Sequence, residues 1–228
     1  STYGNIFSIQ KAVRHLVNTS KRKPWQVSVA VIGGGLLGEQ LEHHLGGDGY
    51  QMSMIDVRYT RRGDVKLMDE EDANRQLGTV DIVINLLPRG KDFMDCQLHR
   101  RIPATATIVD FSRPPIPTQA IPQKVVMGNR VQRSGMRFCM RLPGGWKRHE
   151  LPACSMPSLV ASLSRAPIKS IEEFRFAARQ FQFHTALASL PVRPVSTFGD
   201  KFLDLTAVRS IVARFSLFIF RNRQPFSR

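Results

Sequence analysis

Six residues, Gly33-Gly34-Gly35-Leu36-Leu37-Gly38, constrain this chain more than any other stretch. They follow an apolar run from Gln26 to Ile32, in which Val27, Val29, Ala30, Val31 and Ile32 read as a buried strand. They open a helical stretch from Leu36 to Leu45 that Gly46-Gly47 stops. Tyr50 to Ile55 then reads as a second strand ending at Asp56. A bare G-x-G-x-x-G spacing is weak, but strand, glycine turn, helix and strand in this order give each glycine a task. Gly33 permits a tight turn, Gly35 lets backbone approach a pyrophosphate, and Gly38 allows close helix–strand packing. The helix start at Leu36 offers unpaired amides and a positive dipole end to phosphates. Asp56 can accept hydrogen bonds from ribose hydroxyls. A structural glycine turn that holds no nucleotide is the bland alternative, and the sequence leaves both open.

The alternation continues. Glu70 to Leu77 reads as a short helix, and Val80 to Leu87 as a near-continuous apolar strand of the kind found inside parallel sheets. Asp92 to Arg100 is a plausible helix; Thr107 to Phe111 and Lys124 to Met127 are further strands. The expected fold is α/β, a Rossmann-type doubly wound, mostly parallel sheet with a C-terminal helical appendage. The expected division is a leading helix and linker over 1–24, a dinucleotide-binding-type domain over 25–145 and a helical region over 146–228. Helical spacing is expected over Ser8 to Val17, Ser158 to Arg165, Ile171 to Leu190 and Leu205 to Arg221. In the third of these, Phe174, Ala178, Phe181, Thr185 and Ala188 form a stripe with Phe176 and Phe183 beside it.

Cofactor choice is open between NAD and NADP. Asp56 favours NAD, because a carboxylate repels a 2′-phosphate. Arg58, Arg61 and Arg62 lie just beyond and could accept that phosphate, unless they are only a solvated basic loop. The net charge of +15 points to acidic partners: a peptide, a carrier protein or a partner enzyme. Nucleic acid is the weaker alternative, because no aromatic-flanked RNA-binding signature, zinc finger or clear helix-turn-helix accompanies the charge. No apolar run reaches the roughly 18 residues of a membrane span, and residues 1–20 lack a signal-peptide layout. Three widely spaced cysteines suggest no disulfide framework, and a cytoplasmic location is expected. His43-His44 lack further ligands, so no metal is expected. A homodimer through the C-terminal helices is the expected assembly.

Further residues carry a family resemblance. Leu86-Leu87-Pro88 resembles the fourth-strand turn of many dehydrogenases, where the backbone passes the nicotinamide side. Ile108-Val109-Asp110-Phe111-Ser112-Arg113-Pro114 resembles a Val-Asp-x-Ser-Arg-Pro turn of acyl-carrier-protein reductases of the cyanobacterial aldehyde-forming type. Gly4-Asn5 with Ser8 looks like the segment leading into their cofactor domain, and Leu151-Pro152-Ala153-Cys154 sits where they carry an acyl-accepting cysteine. Glutamyl-tRNA reductases and shikimate dehydrogenases are similar at greater distance. The resemblance covers roughly residues 1–163. It implies an NAD(P) site lined by Pro88 and Ser112 beside Gly33, Gly35, Gly38, Asp56 and Arg58, and it makes Cys154 the catalytic candidate. Two departures count against carrying the activity over. The family's substrate lobe, which there precedes the segment matching Ser1 to Ser8, is expected to be lacking, and its Ala-Glu pair after the cysteine becomes Ser155-Met156-Pro157.

Cys154 needs an activated thiolate to form a thioester, for which Lys147, Arg148 and His149 are near in sequence; a packed cysteine is the bland reading. His184 reads as a hydrogen-bonded helix histidine rather than a base. Two functions follow. In the first, a dehydrogenase-derived domain without a substrate lobe serves as a binding protein for a peptide, carrier protein or partner enzyme, with or without NAD(P). In the second, an NAD(P)-dependent oxidoreductase of acyl-thioester or aldehyde type completes its site with another subunit.

Overall fold

The apolar runs of the sequence become the strands of one sheet. In the computed structural model, residues 2–133 and 150–185 are described in full and 188–189 by backbone. In chain order the described elements are α1 (Thr2–Thr19), β1 (Ser28–Ile32), α2 (Leu36–Gly47), β2 (Gln51–Ile55), β3 (Val57–Tyr59), β4 (Val65–Leu67), α3 (Glu70–Leu77) and β5 (Ile82–Asn85). They continue with α4 (Gly90–Asp95), α5 (Leu98–Arg101), β6 (Thr107–Asp110), β7 (Lys124–Met127), β8 (Arg130–Arg133), β9 (Glu150–Pro152), α6 (Met156–Ser164), α7 (Ile171–Gln180), β10 (Phe183–Thr185) and β11 (Ala188–Ser189).

The main sheet runs β2-β1-β5-β6-β7-β11. Its first five strands are parallel, and only β11 is antiparallel, at the β7 edge. Alternate residues of these strands feed two cores. Val29, Val31, Ile82, Ile84, Val109 and Val126 meet Ile9 and Val13 of α1 and Leu41 and Leu45 of α2. Ala30, Ile32, Val83, Ile108 and Val125 face the other way, toward Ala73 and Leu77 of α3, Phe93 of α4 and Leu98 of α5. Both faces are therefore covered by helices, which is why these strands read as continuous apolar runs. The chain has the expected doubly wound α/β fold.

A third cluster joins α1 to the later elements. Phe7 packs with Val131 of β8, Leu151 of β9, Met156 and Val160 of α6, and Phe174 and Ala178 of α7. The chain separates into two compact units, Ser1–Val192 and Arg193–Arg228, and the second lies outside the described residues. The boundaries expected at 24 and 145 thus fall inside the first unit. Helix α1 begins earlier than its apolar spacing suggested. Gly4 lies so close to the carbonyl of Ala153 that a Cβ would sit 1.9 Å from it, and Ser8 donates to the Gly128 carbonyl across 2.5 Å.

Three local expectations change. The helix read over Ile171 to Leu190 ends at Gln180; Gln182 takes a positive φ of 55°, and Phe183–Thr185 pairs antiparallel with β8 instead. Aromatic and β-branched residues suit that edge, and the open edge of β8 outweighs helical periodicity. The helix read over Asp92 to Arg100 breaks at Gln97 (φ 53°) into α4 and α5. The basic loop after Asp56 is a hairpin, β3 paired with β4. The helix expected over Leu205 to Arg221 lies outside the described residues.

Candidate dinucleotide site

Strand order reverses at β1: β2 lies on one side and β5 on the other. β1 and β5 stay paired to their carboxyl ends, and the connections that leave them diverge, which is where a doubly wound sheet offers a ligand crevice. The glycine turn occupies that place. Gly33 has φ +107°, a conformation that favours glycine, and its amide donates to the Ile55 carbonyl (2.9 Å). Gly38, at the first turn of α2, lies against the turn itself; a Cβ there would be 2.3 Å from the Gly33 carbonyl oxygen. Gly35 is the N-cap of α2, with φ −65° and ψ 179°, and a Cβ built on it would meet nothing within 4 Å. Two glycines are thus required by the chain's own packing. The third borders open space at a helix start whose first amides have no intrahelical acceptor.

Asp56 closes one side. Its Oδ1 accepts the Gly34 amide (3.1 Å) and the Val57 amide (2.8 Å), and the side chain is solvent-exposed. On the other side, the Leu86 amide donates to the Ile32 carbonyl (3.0 Å), so the end of β5 abuts the turn. Exposed Pro88 follows, and its carbonyl accepts the Arg113 amide (2.7 Å). The Pro114 carbonyl, after a cis Arg113–Pro114 peptide, accepts the Gly90 amide (2.8 Å). These two bonds tie the turn after β6 to the loop after β5.

That second turn is built around Asp110, which is fully buried. It accepts the Asn85 carboxamide (2.8 Å), the Ser112 amide (3.0 Å), the Ser112 hydroxyl (2.7 Å) and the Ile116 amide (2.9 Å). Burial raises the Asp110 carboxyl above its ordinary value, against the lowering effect of these donors. Ser112 is itself fully buried. Its hydroxyl is directed to Asp110, so the side chain holds the turn rather than lining the crevice.

The structure thus brings together Gly33, Gly35, Gly38 and Asp56, with Pro88 exposed in the loop after β5 and Arg58 two residues beyond Asp56 on β3. Cys154 lies apart. It is exposed, in a 3-10 turn over Ala153–Ser155 ahead of α6. The Ala153 amide donates to the Asn129 carbonyl just past β7 (2.8 Å). β7 is three strands from β1, roughly 14 Å along the sheet edge at the usual strand spacing. Lys147, Arg148 and His149, its expected activators, lie outside the described residues. His43 and His44 make an edge contact on α2, and His184 lies on β10 rather than on a helix. Among the described residues, no group of three metal-ligating side chains occurs. No helix there is long and apolar enough to cross a membrane.

One arrangement escaped sequence reasoning. Tyr59 of β3 donates its hydroxyl to Asp92 Oδ2 (3.1 Å), and Arg89 donates Nε to Asp92 Oδ1 (2.9 Å). Arg89 also donates to the Gly63 carbonyl in the hairpin turn (3.3 Å). The Asp92 carboxylate is completely shielded from solvent, and burial together with its hydrogen bond pushes the Tyr59 phenol up to about 12. A signal for the hairpin was present: Val57 and Tyr59 alternate with a basic residue, Val65 and Leu67 do so again, and Gly63-Asp64 marks the turn. Nothing local signalled the tie to Asp92.

No protein-family model matches the chain, and no curated protein does. Among solved structures, it is similar to the A chain of dipicolinate synthase from Bacillus subtilis (15% identity, 54% of this chain and 45% of that one, TM-score 0.37). It is similar to a D-isomer specific 2-hydroxyacid dehydrogenase family protein from Klebsiella pneumoniae 342 (21% identity, 49% and 42%, TM-score 0.36). A probable 2-hydroxyacid dehydrogenase from Rhizobium etli CFN 42, solved with NADP, gives 16% identity, 48% and 42% coverage, and a TM-score of 0.33. The chain spans less than half the length of each of these three.

Proposed function

We propose that this chain is an NAD(P)-binding protein of dehydrogenase-like build, acting in recognition of an acidic peptide, carrier protein or partner enzyme. The observation that carries the dinucleotide part is the glycine turn: Gly35 faces open space at the N-cap of α2, with the Asp56 carboxylate anchored beside it by the Gly34 amide. A pyrophosphate at Gly35 would receive the free amides of α2, and the second oxygen of Asp56 would accept from a ribose hydroxyl. The nicotinamide, when bound, supplies hydride chemistry. The net charge of +15 supports an acidic partner, and a homodimer is the proposed assembly. Fluorescence titration with NADH and NADPH tests the reading. Micromolar affinity that a Gly35→Asp substitution abolishes is expected, and saturation by neither nucleotide would refute it.

A second reading, an oxidoreductase of acyl-thioester or aldehyde type, is favoured by the exposure of Cys154 in a turn leading into a helix. It requires nucleotide-dependent turnover of an acyl-thioester or an aldehyde that Cys154→Ser removes. Tight nucleotide binding without such turnover favours the recognition role.

A further inference from the structure

The hairpin of β3 and β4 begins directly after the carboxylate that would hold the adenosine ribose. Its inner face is fixed by packing: Val65 and Leu67 are buried in the core on that side of the sheet, and Val57 packs against them. In an antiparallel ribbon the side chains alternate, so Arg58 and Lys66 are driven to the outer face. They are register partners, directly opposite one another. Opposed residues of such a pair have their Cβ atoms about 5 Å apart, and like charges at that distance are unfavourable. Both are exposed, and neither side chain has a hydrogen bond or an ion pair among the described residues. Two more cations, Arg61 and Arg62, stand at the tip. A chain gains nothing in stability from this pairing. An anion between the two cations would reverse its sign.

The ribbon is also held in place. Tyr59 reaches Asp92 from β3, and Arg89 bridges from Asp92 to the Gly63 carbonyl in the turn. Strand and turn are both tied to the start of α4. The shielded Asp92 carboxylate makes that tie costly to break, since a buried charge deprived of a partner is strongly disfavoured. Arg58 follows Asp56 by two residues, about 7 Å along an extended chain, which an arginine side chain spans. A substituent on the 2′ position of a ribose held by Asp56 would meet this pair.

Resting on the dinucleotide reading above, we infer that Lys66, opposite Arg58, completes a two-cation seat for the 2′-phosphate of NADPH. In the same inference, Tyr59, Asp92 and Arg89 act as positioning residues for that seat. The phosphomonoester lies between two cations from different strands, and the fixed ribbon keeps both at one spacing. Two backbone amides hold Asp56 by its Oδ1, and the repulsion between its carboxylate and a 2′-phosphate is what the two cations offset.

The test uses the full chain and three probes: NADPH, NADH and adenosine 2′,5′-bisphosphate. Lys66→Ala should weaken NADPH and the bisphosphate about tenfold or more, the scale of one charge-assisted hydrogen bond, and leave NADH affinity as it was. Lys66→Arg should restore most of the loss. Tyr59→Phe should lower the NADPH-to-NADH affinity ratio without altering NADH binding, a readout that general loosening would not move selectively. If the wild-type chain binds NADH but Lys66→Ala leaves NADPH affinity unchanged, or lowers both nucleotides alike, this inference fails and the dinucleotide reading stands. If the wild-type chain binds none of the three probes, both fall.

Discussion

Replacing Gly35 by alanine separates what the glycine turn does for the fold from what it does for a ligand. At φ −65° and ψ 179° the residue occupies ordinary extended backbone, and its Cβ would meet nothing within 4 Å. Alanine is a poorer N-cap than glycine by several tenths of a kcal/mol, while the stiffer unfolded chain returns about 0.4–1 kcal/mol. These effects oppose, so stability should change by less than ~0.5 kcal/mol, and the melting temperature by under about 2 °C. Binding should respond quite differently. The methyl group would stand where a pyrophosphate must approach the α2 amides, and displacing one charge-assisted hydrogen bond costs about 1.5–3 kcal/mol. At about 1.4 kcal/mol per tenfold, NADH or NADPH affinity should fall roughly 10- to 150-fold. Gly38→Ala provides the contrast. Its Cβ would sit 2.3 Å from the Gly33 carbonyl oxygen, forcing α2 off the turn at a cost of about 1–3 kcal/mol before any ligand is added. Calorimetric melting and fluorescence titration on the two variants measure both effects. Gly35→Ala with unaltered nucleotide affinity would refute the assigned approach path. A large melting shift in Gly35→Ala would refute the claim that its side is open.

Three further outcomes follow from the packing and the ionisable groups. Tyr59 should stay protonated past the ordinary phenol value of 10; because its folded value is raised to about 12, its contribution to stability is complete below 10 and lost as pH climbs through 12. The ultraviolet phenolate titration of wild type minus Tyr59→Phe should show that late step, and Asp92→Asn should move it down. Burial would raise the Asp81 carboxyl, but the Ser28 amide and hydroxyl and the Arg22 guanidinium hold it below its ordinary 3.8. Its contribution is therefore present above 3.8 and lost as pH falls through the lower folded value, so Asp81→Asn should flatten the acid limb of a stability–pH curve. Phe174 is fully buried, edge-on to Phe7 at 6.0 Å; Phe174→Ala should cost about 3–5 kcal/mol in urea unfolding without touching residues of the glycine turn.

The parts legible in the sequence were those whose determinants are local. The strands of the parallel sheet announce themselves because burial on both faces demands uninterrupted apolar runs, as in Val29–Ile32 and Ile82–Ile84. The turn at Gly33 and the close approach at Gly38 are readable because only glycine satisfies them, whatever surrounds them. The position of Asp56 in the chain, directly after the second strand, is readable from strand length, although its carboxylate is held by the distant Gly34 amide.

Where the outcome depended on contacts distant along the chain, tertiary structure decided it. The residues after Gln180 join β8 because that strand offers unpaired backbone groups some fifty residues away, and periodicity within the segment carries no trace of them. Ser112 looks the same in sequence whether its hydroxyl faces a ligand or a buried neighbour; the enclosed Asp110 decides it. The basic stretch after Asp56 became an ordered ribbon because Val65 and Leu67 found the core and Tyr59 found Asp92, 33 positions later. Composition and spacing specify what each residue can do. Which partner it meets is a property of the assembled sheet and its helices.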